Sequence, residues 1–97
     1  MLTAQEQIAL VTRYFAAVDS ESIDRVLGTL SEDCTFSVET HGVQLSGKTQ
    51  IADMLTRLWA DHAAVRHDQF RFVPDPAAGR IAAQFRVLNT ELDGSTT

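Results

Sequence analysis

Two side chains in this sequence fall where a folded domain could use them for acid–base chemistry. Tyr14 lies next to Phe15 in an apolar stripe, and a buried tyrosine hydroxyl can donate a hydrogen bond to a developing oxyanion. Asp68 alternates with Phe70, so burial of that face would raise the pKa of its carboxyl and make it a candidate general base. Each residue also has a simpler interpretation. Tyr14 can pack in the core with its hydroxyl hydrogen-bonded to the protein, and Asp68 can lie in solvent beside Arg66. Tyr14 and Asp68 are therefore the candidate catalytic residues, with these alternatives open.

The histidines and the cysteine do not form a pattern typical of a metal site. His62 and His67 are five residues apart, which does not place them on one helical face, and His41 lies in a predicted turn. Because zinc requires three or four convergent ligands, packing, capping or surface roles are favoured and no metal is expected. Cys34 has no basic neighbour to stabilise a thiolate, and as the only cysteine it cannot form an intramolecular disulfide.

One segment matches a nucleotide-binding motif literally. Residues 42–49, GVQLSGKT, fit the phosphate-loop pattern G-x-x-x-x-G-K-[ST]. However, Val43 and Leu45 alternate with polar residues like a hairpin strand, whose amides are committed to a ladder and not free to surround phosphate. We interpret Gly42 as a turn residue and Gly47 as the start of a helix, and reject nucleotide binding.

The first half of the chain predicts two helices and a hairpin. Thr3 and Glu6 form a capping box before a helix over about residues 4–18, and a short second helix begins near Ile23. From Cys34 the apolar period changes from 3.6 to 2, which predicts a strand, a turn at residues 41–42 and a short return strand.

The second half predicts a helix followed by two long strands. The third helix is predicted to carry an apolar stripe that includes His62. Residues 65–73 and Arg80 to about Thr90 alternate as antiparallel strands around a proline-rich turn, and residues 93–97 should be disordered. The order α-α-β-β-α-β-β predicts one α+β domain over residues 1–97.

The length, charge and apolar content of the chain limit the kinds of molecule that it is expected to bind. The chain has 97 residues with 44% apolar residues, enough for one domain with one core. Its formal net charge of −5 opposes binding to nucleic acid. No apolar run approaches the ~20 residues that span a bilayer, and the N-terminus does not resemble a secretory signal. We therefore expect a cytoplasmic protein that binds neither nucleic acid nor membrane.

Three segments support a family resemblance: residues 14–18, YFAAV; residues 30–36, LSEDCTF; and residues 47–51, GKTQI. With the order of elements, they make about residues 3–90 similar to the NTF2-like superfamily, and most of all to SnoaL-like polyketide cyclases and ketosteroid isomerases. The resemblance implies a curved sheet and helices that form a cone around an apolar pocket, a homodimer through the sheet, and no metal or organic cofactor. Members usually continue with another antiparallel strand pair, so we expect either a trimmed domain or a partner chain over the exposed edge.

The resemblance also assigns positions within the pocket. Tyr14 corresponds to the pocket tyrosine of the ketosteroid isomerases, whereas their general-base position falls on Val38, which cannot accept a proton. Glu39 is one register step away and would turn inward after a one-residue slip. We expect the pocket to be lined by apolar side chains from the helices and strands: Val18, Phe36, Val38, Met54, Leu58, Trp59, Phe70, Phe85 and Val87.

Two functions follow from this resemblance. The first is a SnoaL-like isomerase, cyclase or hydrolase that acts by acid–base catalysis on an apolar substrate of polyketide, terpenoid or steroid type. The alternative is a non-catalytic dimeric module of the same fold that binds a ligand or a protein, which Val38 at the base position favours. Fold alone does not decide between them.

Overall fold

The computed structural model describes all residues from 1 to 97. The order of elements is α-α-β-β-α-β-β, so the prediction of an α+β fold is confirmed. The helices and strands are α1 (Ala4–Asp19), α2 (Ile23–Gly28), β1 (Thr35–Val38), β2 (Val43–Ser46), α3 (Gly47–Asp61), β3 (His62–Asp75) and β4 (Arg80–Glu91). None of the helices combines the length and the apolarity that crossing a bilayer requires.

Helix α1 begins with the predicted capping box. The Glu6 amide donates to the Thr3 hydroxyl at 3.1 Å, and the Thr3 amide donates to the Glu6 carboxylate at 3.0 Å. These bonds satisfy two amides that have no partner within the helix, and they lower the pKa of Glu6. The helix ends at Asp19, one residue after the predicted end.

Strands β1 and β2 form the predicted hairpin. Phe36 lies opposite Leu45, and a short 3-10 turn connects the strands through Gly42, whose φ of 65° suits glycine. The segment that resembles a phosphate loop is thus a strand whose backbone groups pair with β1. The Gly47 amide donates to the Cys34 carbonyl at 2.8 Å and is also committed to the protein.

The hydrophobic core lies among the three helices. Its fully buried members form one cluster: Ala17, Val18, Val26, Ile51 and Leu55. Half-buried side chains from the first hairpin, including Phe36 and Leu45, pack against this cluster. The indole of Trp59 donates to the Val18 carbonyl at 3.0 Å, which ties α3 to the end of α1.

The boundary between α3 and β3 differs from the sequence prediction. His62 was expected on the apolar stripe of the third helix, and this is wrong, because its backbone is extended (φ −132°, ψ 149°) and it begins β3. Its Nδ1 lies 2.9 Å from the Leu58 carbonyl, and its Nε2 lies 3.7 Å from the Glu91 carboxylate. The side chain therefore bridges the end of the helix and the far strand.

Strands β3 and β4 form a long antiparallel hairpin with a bulge. Asp68 pairs with Arg86 and Arg71 with Gln84, so two residues of β3 oppose one of β4, and Gln69 takes a φ of 54°. The predicted unbroken alternation through this region is therefore wrong. The extra residue reverses which face each later side chain occupies.

The C-terminal tail, for which the sequence predicts disorder, folds back on β4. The Asp93 carboxylate accepts a hydrogen bond from the Ser95 amide at 2.9 Å and holds a turn. Beyond it, Thr97 and Asn89 exchange backbone hydrogen bonds of 2.8 and 3.0 Å. The tail thus starts an additional antiparallel pairing on the outer edge of β4.

Candidate functional site

The end of α1 meets the middle of β3 in a carboxylate–imidazole pair. His67 Nδ1 lies 2.6 Å from Asp19 Oδ1, and the His67 backbone amide donates to Asp19 Oδ2 at 2.7 Å. The imidazole is 10% exposed and the carboxylate 23%. Because a carboxylate can only accept, the proton of the neutral imidazole lies on Nδ1, and Nε2 keeps a lone pair that can take up a proton.

Aromatic rings surround this imidazole. The ring of His67 lies 4.7 Å from that of Phe15 and 5.2 Å from that of Phe85. Phe70 lies 5.4 Å from Phe15 and 5.8 Å from Phe85, so the four rings form a continuous group, which we call the aromatic cluster. Because Phe85 is itself 39% exposed, the cluster covers the imidazole only in part.

An apolar cavity of about 340 Å³ lies on the other side of Phe15. Eleven residues line it, nine of them hydrophobic: Leu10, Val11, Tyr14, Phe15, Thr29, Leu30, Thr35, Phe36, Ile51, Ile81 and Ala83. Its size and character suit a small apolar ligand. Phe15 belongs to both the cavity and the aromatic cluster, so the cavity and the imidazole are adjacent.

Tyr14 contributes the phenol group of this cavity. Burial raises the pKa of its hydroxyl, and desolvation is the sole cause of that shift, with no hydrogen bond from the protein. The hydroxyl therefore stays protonated at neutral pH and keeps its donor for a ligand.

The other predicted lining residues are divided between several environments. Phe36 lines the cavity, and Phe70 and Phe85 belong to the aromatic cluster. Val18 is 3% exposed in the core. Val87 is 43% exposed on β4, where it is the cross-strand partner of His67.

Helix α3 and strand β1 carry the remaining four. Met54 and Leu58 pack against the core and also line a separate groove beside β2, while Trp59 packs against the core and bonds to Val18. Val38 is paired with Val43 at the end of the first hairpin. None of these four lines the cavity that Tyr14 lines.

Asp68 lies on the opposite face of the hairpin from the aromatic cluster. Sequence alternation placed it with Phe70, but the bulge at Gln69 separates the two. Its carboxylate accepts two hydrogen bonds from Arg86, of 2.8 and 2.7 Å, and these bonds lower its pKa. A carboxylate so stabilised in its charged form is a weak base.

Comparison with solved structures establishes the fold. No protein-family profile matches the chain, and no curated protein sequence matches it. A provisionally assigned polyketide cyclase from Pseudomonas putida aligns with 100% of this chain and 76% of its own, at 24% identity and a TM-score of 0.82. A second one, from Xanthomonas campestris, aligns with 97% of this chain and 75% of its own, at 19% identity and a TM-score of 0.85.

A third structure gives the fold its name. It is an NTF2-like protein of unknown function from Exiguobacterium, which aligns with 91% of this chain and 77% of its own, at 18% identity and a TM-score of 0.76. This chain has the NTF2-like fold. The fold predicted from the resemblance is thereby confirmed, whereas activity and substrate do not transfer at such identities.

Sequence reasoning missed the Asp19–His67 pair within this NTF2-like fold. The two residues are 48 positions apart and share no spacing motif. His67 was considered only with the other two histidines, as a possible metal ligand, and Asp19 was not a candidate. The available signals were weak: an acidic residue at the end of a helix, and a histidine within an alternating strand.

Proposed function

We propose that this NTF2-like protein binds a small apolar molecule and catalyses an acid–base reaction on it, an isomerisation, cyclisation or hydrolysis. The observation that carries the proposal is the imidazole of His67, which bonds to Asp19 through Nδ1 and contacts the rings of Phe15 and Phe85, while the His67 backbone amide bonds to the same carboxylate. A substrate of polyketide, terpenoid or steroid type suits the apolar cavity beside it. The polyketide cyclases with similar structures support this substrate class.

In the proposed mechanism, His67 moves the proton. Its Nε2 accepts a proton from the substrate, and Asp19 stabilises the resulting imidazolium through Nδ1. Tyr14 donates its hydroxyl hydrogen to the oxyanion that develops on the substrate. His67 does not line the cavity, so this mechanism requires a substrate that extends from the cavity past the Phe15 ring to His67.

His67 replaces Asp68 as the proposed general base. Asp68 is committed to Arg86 and faces away from Phe15, so it contributes to the hairpin and not to the chemistry. Asp68→Asn is therefore expected to leave turnover unchanged, and a large loss in that variant would restore Asp68 as the base.

A general-base probe tests the proposal without knowledge of the substrate. We would measure the ring opening of 5-nitrobenzisoxazole, which is limited by proton removal. His67→Gln is expected to lower the rate at least tenfold, since general bases contribute ~10²–10⁴-fold. His62→Gln is the matched control, because it removes a half-buried histidine from the same strand.

Two outcomes would contradict the proposal. If His67→Gln and His62→Gln retain equal activity, His67 is not the base. If the wild-type protein reacts no faster than free imidazole at equal concentration, the non-catalytic binding module becomes the better description. Circular dichroism of each variant separates loss of chemistry from loss of fold.

The homodimer and the cytoplasmic location belong to the same proposal. On the outer face of the β3–β4 hairpin, Val73 is 69% exposed, and a second copy packed on this face would cover it. Native mass spectrometry at micromolar concentration should show a dimer, and a monomer would contradict this part. Cell fractionation tests the location.

A further inference from the structure

A second cleft lies between α1 and α2, away from the aromatic cluster. It has a volume of about 610 Å³ and is lined by Arg13, Ala16, Ala17, Ser20, Arg25, Gly28 and Thr29. The α1 residues recur at three- and four-residue intervals and thus share one helix face. Thr29 lines both this cleft and the apolar cavity, but none of Tyr14, Asp19 and His67, the proposed catalytic groups, lines the cleft.

The lining of this cleft is positively charged. Two arginines and no carboxylate line it, although the chain as a whole carries a net charge of −5. The four ion pairs of the protein all involve other residues, and neither Arg13 nor Arg25 takes part in a side-chain hydrogen bond. Each guanidinium therefore keeps five N–H donors, arranged to match the oxygens of a carboxylate or phosphate.

Gly28 is one of the residues that line the cleft. A Cβ placed on Gly28 would meet no atom within 4 Å, and the residue lies in helix α2 without a positive φ. Neither steric crowding nor backbone conformation therefore requires glycine here, although glycine is less stable than alanine in a helix. Gly28 lines the cleft, and open space lies where its side chain would project, so alanine fits there without a clash.

We propose that this arginine cleft binds a small organic molecule that carries a carboxylate or phosphate group. The two guanidinium groups hold the oxyanion, and the methyl group of Ala16 contacts the apolar part of the ligand. The hydroxyls of Ser20 and Thr29 donate to the backbone carbonyls of Ala17 and Val26. Their oxygens can still accept a hydrogen bond from a donor group of the ligand.

Titration by nuclear magnetic resonance tests this site, with phenyl phosphate, benzoate and inorganic phosphate as probes. Phenyl phosphate should cause saturable shifts of the Arg25 and Gly28 amide signals and bind more tightly than inorganic phosphate, because its ring contacts Ala16. Arg13→Gln and Arg25→Gln should each raise its dissociation constant at least fivefold. Arg80→Gln, which removes an exposed arginine outside the cleft, should leave the constant unchanged. Benzoate shows whether a carboxylate replaces the phosphate.

Gly28→Ala separates contact with the cleft lining from general charge attraction, because it adds one methyl group to the lining and leaves every charge in place. We expect this variant to melt at the same or a higher temperature and to bind phenyl phosphate at least fivefold more weakly. Unchanged binding in Gly28→Ala, an equal loss in Arg80→Gln, or shifts that do not saturate would each overturn the proposal. His67→Gln should not alter this binding, so the result is independent of the proposed catalytic function.

Discussion

The three-helix layer and the β3–β4 hairpin differ in how they are held. The helices contribute five residues to one buried cluster, whereas the hairpin contributes a single fully buried apolar residue, Val65. The hairpin nevertheless contains strands of 14 and 12 residues and exposes Val73 at 69%. Hydrophobic burial therefore stabilises mainly the helical layer, since the free energy gained scales with the apolar area removed from water.

Polar contacts from α1 position the hairpin on this layer. Gln7, 5% exposed, donates to the backbone carbonyls of Arg80 and Asp75 at 3.2 and 3.5 Å, near the hairpin turn. At the other end of the same helix, Asp19 binds both the amide and the ring of His67. The candidate catalytic pair thus also serves as a junction between the two regions.

The largest expected effect comes from a cavity in the helical core. Ile51→Ala should lower the free energy of unfolding by about 2–5 kcal/mol, because Ile51 is 2% exposed and its removal leaves space that the core cannot fill. Val73→Ala on the hairpin should change it by less than about 0.5 kcal/mol. Urea unfolding measures both, and equal losses would contradict the contrast between the regions.

An intermediate effect is expected where the two regions meet. Gln7→Leu removes the donors to the Asp75 and Arg80 carbonyls and should cost about 1 kcal/mol. The cost is moderated because the Gln7 Oε1 atom is itself buried without a partner. Hydrogen exchange should accelerate at amides of the hairpin turn and not in α3.

Gln5→Leu is the control for that variant, because Gln5 is exposed on the same helix. Equal destabilisation by Gln5→Leu and Gln7→Leu would show that the junction does not depend on these hydrogen bonds.

The smallest expected effect is on the stability of the protein in acid, through an ion pair of the β3–β4 hairpin. The hydrogen bonds from Arg86 lower the pKa of Asp68 below its ordinary value of 3.8. The folded state therefore binds fewer protons than the unfolded state near that pH. The contribution of the ion pair to the free energy of unfolding is present above pH 3.8 and is lost as the pH falls through the lower pKa of the folded state.

The measurement is the difference in urea midpoint between the wild type and Asp68→Asn. It should be larger at about pH 6 than in acid below pH 3.8, where the difference shrinks as the wild-type carboxylate takes up its proton. Asp53→Asn, an exposed position without an ion pair, should show no such dependence. A difference that stays constant between the two pH values would exclude the proposed contribution.

Local signals in the sequence predicted most of the fold. The capping box at Thr3 and Glu6 gave the start of α1, and the change of period at Cys34 gave the first hairpin, because both depend on residues a few positions apart. The Gln69 bulge was not predictable in this way. A period-two pattern assumes one side chain per face at each step, and an inserted residue leaves no mark in the composition.

The candidate site was predicted less well because it depends on tertiary contacts. Tyr14 and Phe36 both line the apolar cavity, at positions that follow from helix and strand periodicity. Asp19 and His67 meet only when β3 crosses the end of α1, and no pattern within either element specifies that crossing. Tyr14 could thus be found from periodicity, while the base proposed here required the structure.

The hydrogen bond from the Trp59 indole gives the protein its own optical reporter. Trp59 is the only tryptophan, and its Nε1 donates to the Val18 carbonyl, next to Asp19. Fraying of the end of α1 would break this bond and expose the indole to water, which shifts tryptophan emission to longer wavelength. The fluorescence spectrum can therefore follow, without a label, whether the helix end that orients His67 is closed or open.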